Sequence, residues 1–135
     1  MRLLMFQTEA GRRLGVLHGP DQQQVVDLRE LAAALDAPAP PGDLLALIDA
    51  GEQGLNQVRE LLGRVPAGAS SLVVRRLDDL TLLPPLDPPR GNVIAMGRNY
   101  AAHAQESANL RGREPEPPTL FTMAITSING PYSDV

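Results

Sequence analysis

The ten residues GRNYAAHAQE, 97 to 106, gather Arg98, Asn99, Tyr100, His103 and Glu106 in a chain otherwise rich in Ala, Leu, Gly, Pro and Arg. His103 and Glu106 form an H-x-x-E pair. On a helical or 3₁₀ turn, positions i and i+3 share a face, so the carboxylate can reach the imidazole, hold one tautomer and raise its basicity. Such a pair is a general base able to activate water. Arg98 could fork onto a substrate carboxylate. The competing reading is structural. With seven glutamates among 135 residues, a given histidine has about a one in twenty chance of a Glu three positions on, so spacing alone is a weak motif. A buried tyrosine in a turn, as Tyr100 would be, more often packs than reacts.

Composition removes several other chemistries. There are no cysteines, hence no disulfide, no thiolate zinc site and no cysteine nucleophile in this chain. All 12 basic residues are arginines, so Schiff-base chemistry and a lysine base are excluded too. The second histidine, His18, sits at the end of an alternating stretch beside Gly19 and is expected to be exposed. His103 and Glu106 give two metal ligands, fewer than the three protein ligands usual for catalytic zinc, and no complete metal site is read from the residues. Glycine-rich phosphate motifs, a G-x-S-x-G elbow and H-E-x-x-H are absent.

The elements that must position the cluster follow from periodicity. Alternation predicts strands at 2–7, 12–18 and 23–28, separated by turns at Glu9–Gly11 and Gly19–Asp21, hence an antiparallel meander. Leu28, Leu31, Ala32 and Leu35 then fall at helical spacing behind Asp27, a cap type, and APAPPG stops that helix. Asp43 caps a second helix, carrying Leu44, Leu47 and Ile48, that Gly51 ends. A third carries Leu55, Val58, Leu61 and Leu62 to about Gly63. LVVRRLDDLTLLPPLDPPRGN, 72–92, reads as one or two strands ending in proline-rich turns, where prolines 84, 85, 88 and 89 forbid a central strand. NVIAMG, 92–97, reads as a buried strand delivering the chain into the polar cluster, and LFTM, 120–123, as another. The expected organisation is an N-terminal α+β domain at 1–66, a proline-rich linker at 67–91, and at 92–135 the incomplete start of a second, catalytic domain.

The net charge of −4 carries no long block of one sign and gives no reason to expect nucleic acid or anionic lipid. No apolar run approaches the roughly 20 residues of a membrane span, and the N-terminus lacks a signal-peptide pattern. The expectation is a cytoplasmic protein with a small-molecule partner.

NVIAMGRNYAAHAQE followed by PPTLFTMAITSINGP closely resembles the fumarylacetoacetate hydrolase family, whose members carry a strand into G-x-N-Y-x-x-H-x-x-E and then P-x-x-F-x-K-x-x-(T/S)-S and a Gly-Pro turn. RLGVLHG, VVDLRELAAAL, LLALIDAG and LLPPLDPPRGN look like the N-terminal region and linker of bacterial members. The resemblance implies a mixed, β-rich α+β fold, a homodimer, and catabolic chemistry on 2-oxo or β-dicarbonyl acids: carbon–carbon hydrolysis, decarboxylation, hydration or isomerisation. It implies that His103 is the base, Glu106 its orienting partner, and Arg98 and Tyr100 substrate contacts. A magnesium or manganese ion would stabilise the enolate. Two departures stand out. The family lysine is Met123 here, and the family's metal ligands, an E-x-E pair and a later Asp, lie downstream of the segment this chain covers. Two readings follow: the front portion of such an enzyme, inactive in isolation, or a non-catalytic remnant or interaction module.

Overall fold

The computed structural model describes residues 1–97, 100, 102, 105, 106, 109, 110 and 117–132. The fold is α+β and divides into two compact units, one built on Met1–Asp87 and the other on Pro88–Ile128. No helix among the described residues is long and apolar enough to cross a membrane.

The first unit follows the alternation of its sequence. Strands β1 (Leu3–Thr8), β2 (Gly11–His18) and β3 (Gln24–Asp27) form an antiparallel meander, turning at Gly11 and Gly19. Helix α1 (Leu28–Ala34) starts immediately, because the Asp27 carboxylate accepts hydrogen bonds from the Arg29 and Glu30 backbone N–H groups. It ends before the prolines: Asp36 takes a left-handed φ of 48°, and the Ala37 N–H returns to the Ala32 carbonyl. Helix α2 (Leu44–Leu62) is capped by Asp43 and broken at Gly51, whose φ of 56° and ψ of −140° leave helical geometry. The two segments expected on either side of Gly51 are therefore both present. Leu47, Val58 and Leu61 are buried, whereas Ile48, read as part of the apolar face, is 60% exposed.

The stretch expected as a proline-rich linker carries two further strands. Residues 74–83 return to the sheet as β4 (Val74–Arg76) against β3 and β5 (Thr81–Leu83) against β1, giving the order β4-β3-β2-β1-β5. Three-residue strands at the two edges satisfy backbone groups that the meander would otherwise leave bare. The one or two strands expected in this stretch are both present, and the prolines begin only after Leu83. The sheet thus extends past residue 66, and the proline-rich stretch is confined to its end.

One face of this sheet carries the core. Met5, Leu14 and Val16 pack with Leu28, Leu47 and Val58, while Val26 packs with Leu31, Ala32, Leu61 and Val73. Each such side chain contributes about 1.5–3 kcal/mol on full burial. On the other face Phe6 and Val25 close over Gly15. A Cβ there would lie 2.6 Å from Val25 Cγ1 and 2.9 Å from Phe6 Cε1. Gly15→Ala is expected to lower stability by about 1–3 kcal/mol through overpacking, read from the urea midpoint; an unchanged midpoint would show that both side chains shift at no cost.

The same face holds a charged cluster under Phe6. Asp27 is fully buried, its Oδ2 lying 3.7 Å from Arg75 Nε and 3.9 Å from Arg13 Nε, beyond hydrogen-bonding range. Asp27 Oδ2 and Arg75 Nε make no hydrogen bond among the described residues. The Arg75 guanidinium sits 5.9 Å from the Phe6 ring centre. Burial pushes the Asp27 carboxyl above its ordinary value; the Glu30 backbone N–H and then Arg75 and Arg13 pull it down without offsetting desolvation.

The second unit contains β6 (Val93–Gly97) and β7 (Thr119–Met123), paired antiparallel, and a 3₁₀ turn at Ile125–Ser127 closed by Ser127 Oγ donating to the Ala124 carbonyl. Both strands stand where the apolar runs predict them, but they are not buried. Ile94 is 71% and Leu120 65% exposed. Among the described residues the sheet of this unit has these two strands, and a two-stranded ribbon alone is marginally stable in water.

Candidate functional site

The β6–β7 register fixes the geometry around the polar cluster. Gly97, the last residue of β6, pairs with Thr119, and Val93 at the other end pairs with Met123. Gly97 packs in ordinary contact with Phe121 Cε1 and the Thr119 carbonyl, each 3.7 Å from where its Cβ would be. The chain enters RNYAAHAQE from the Gly97 end. At about 3.3 Å per residue, Met123 lies about 13 Å along the ribbon from that end. The position aligned with the family lysine is therefore at the opposite end of the pair from the strand exit. Thr119 stands at the exit, a placement that no sequence signal marks.

Of the residues singled out for chemistry, Arg98 and His103 lie outside the described residues, as does Asn99. Tyr100 is 75% exposed, so it is not the buried turn residue its type suggests. Glu106 is exposed in helical backbone, and its neighbour Gln105 donates from Nε2 to Asn109 Oδ1 at 3.0 Å, a contact of i,i+4 spacing. An exposed carboxylate on a helical turn is sterically free to reach a residue three positions earlier.

Among the described residues no three His, Asp or Glu side chains stand close enough to hold a metal ion. His18, expected to be exposed, is half-buried at the end of β2, beside a cleft also lined by Leu62 of α2 and Val65 in the loop after it.

The chain's distant homologues are oxaloacetate tautomerases. It is 31% identical to the mitochondrial oxaloacetate tautomerase Fahd2a of Rattus norvegicus over 100% of its own length and 39% of that protein's. It is 26% identical to the oxaloacetate tautomerase YisK of Bacillus subtilis over 82% of this chain and 37% of that one. A shorter similarity, 45% over 53 residues, links it to an uncharacterized protein of Staphylococcus aureus. The chain spans less than two fifths of the length of either tautomerase. No family model matches it.

Proposed function

We propose that this chain is the front portion of a fumarylacetoacetate hydrolase-like enzyme that acts on a 2-oxo acid, with proton transfer between keto and enol forms as its reaction. The observation that carries the reading is the similarity to the rat oxaloacetate tautomerase along the whole of this chain. On this reading tautomerisation, rather than hydrolysis, is the preferred one of the four reaction types that the family resemblance implies.

In this reading His103 takes the proton from the carbon next to the oxo group; the electron pair of the broken C–H bond forms the C=C bond, the π pair of the carbonyl moves to its oxygen, and that oxygen gains a proton to give the enol. Glu106 orients the imidazole and Arg98 holds the substrate carboxylate, with Tyr100 beside it. The roles of all four rest on their motif positions. A divalent magnesium or manganese ion would stabilise negative charge on the enolate oxygen, held by ligands outside the described residues. The working protein is a cytoplasmic homodimer whose partner molecule is the oxo acid alone.

The isolated 135-residue chain is expected to show no turnover of enol-oxaloacetate, followed by loss of enol absorbance with magnesium or manganese present. A chain extended to the length of the tautomerase relatives is expected to turn it over. Turnover by the short chain that survives His103→Ala would remove the basis for this assignment of roles. The exposed apolar residues of β6 and β7 favour no non-catalytic alternative, because a longer enzyme and an interaction module would both cover them.

A further inference from the structure

The first unit holds a cleft unrelated to the 97–106 cluster. It has a volume of about 480 Å³ and is lined by His18, Gln24, Leu62, Val65, Gly68 and Val74 among others. That volume lies within the range of about 300–1,000 Å³ usual for small-molecule sites. The sheet register explains how its polar edge is built. His18 pairs with Gln24 across β2 and β3, and Gln24 pairs with Arg76 across β3 and β4. Residues directly opposite share a face, so all three stand on one side of the sheet.

It is the helix-covered side. Val16 pairs with Val26 and Val26 with Val74, each two residues from a member of the polar row, and Val16 and Val26 are core residues. The core therefore runs out at this end of the sheet into a recess with apolar walls from Leu62, Val65 and Val74. A Cβ on Gly19 would lie 3.5 Å from Gln24 Oε1, so the carboxamide folds back beside the β2–β3 turn, next to Asp21. Neither the His18 ring nor the Gln24 carboxamide hydrogen-bonds another group among the described residues. The half-buried His18 imidazole and the carboxamide of the exposed Gln24 thus stand beside the apolar side chains of Leu62, Val65 and Val74.

We propose that this cleft binds a small molecule with an uncharged hydrogen-bonding head, such as a primary carboxamide, on an apolar body. The head is matched to His18 and Gln24, since a neutral imidazole offers one donor and one acceptor and a carboxamide offers both. Among the described residues none of those lining the cleft is an Asp, a Glu or an Arg, so a charged head would find no countercharge there. The apolar walls select against an ammonium, which would lose hydration without a buried carboxylate to replace it.

The test titrates the 135-residue chain with benzamide, benzoate and benzylamine, following amide shifts by two-dimensional NMR. Benzamide is expected to give saturable shifts at His18, Gln24 and Gly68, and the two charged analogues to bind at least about tenfold more weakly. His18→Ala and Gln24→Ala, each checked for an otherwise native spectrum, are expected to weaken benzamide by about tenfold or more. The proposal is overturned if benzamide gives no saturable shift, if either charged analogue binds as tightly, or if both variants bind as well as the parent. None of these outcomes bears on oxo-acid turnover, so failure here leaves the proposed function untouched.

Discussion

Replacing Asp27 with alanine is expected to remove about 2–4 kcal/mol of stability from the first unit, measured by urea unfolding. Two losses combine. The Arg29 and Glu30 N–H groups at the start of α1 lose their acceptor, and Arg13 and Arg75 lose the carboxylate lying between them. Asp27→Asn separates the two, because an asparagine oxygen can keep the cap while carrying no charge. At neutral pH it is expected to cost much less than alanine, since burial already opposes the charge. A loss below about 0.5 kcal/mol for alanine would contradict both arguments.

The pH dependence provides an independent check. The Asp27 pKa is raised in the folded protein, from 3.8, so between the unfolded and folded values the native state binds more protons than the unfolded state. Stability from this group is complete below the unfolded pKa and is lost as pH rises through the folded one. Asp27→Asn removes that slope. The variant is therefore expected to gain on the parent as pH climbs from about 4 toward 7, and a gap moving the other way would mean that Arg13 and Arg75 outweigh desolvation.

His103→Ala, placed in a chain extended to the length of the tautomerase relatives, is expected to lower kcat by about 10²- to 10⁴-fold, the usual worth of a positioned acid–base group. Glu106→Gln is expected to cost less in kcat and to move the acidic limb of the pH profile to lower pH. A carboxylate beside imidazole stabilises the imidazolium, so its loss lowers the pH at which the ring becomes a free base. A His103→Ala variant within threefold of the parent would place the base elsewhere. A pH limb unmoved by Glu106→Gln would assign that residue a purely structural role.

What the sequence alone determined is mostly local. Period-two alternation over residues 3–27 placed the meander, because successive side chains in a strand must face opposite sides. Asp27 and Asp43 marked helix starts because a short oxygen-bearing side chain satisfies N–H groups that nothing else can reach. Gly51 marked the break in α2 because its backbone conformation has a positive φ. The motif 97–106 was read from its residue types and its resemblance to a family pattern, and Arg98 and His103 lie outside the described residues.

Tertiary structure decided what depends on partners far along the chain. It drew β4 and β5 into the edges of the first sheet, where three residues suffice because the neighbouring strands supply their hydrogen bonds. It left β6 and β7 exposed although their sequences look like core strands, since burial depends on a second layer and a strand cannot encode one by itself. It assembled Asp27, Arg13 and Arg75 from β3, β2 and β4, and brought His18 beside Gln24 by the register of a hairpin. No spacing rule in one dimension anticipates such groupings, because they are set by which faces the sheet turns toward its helices.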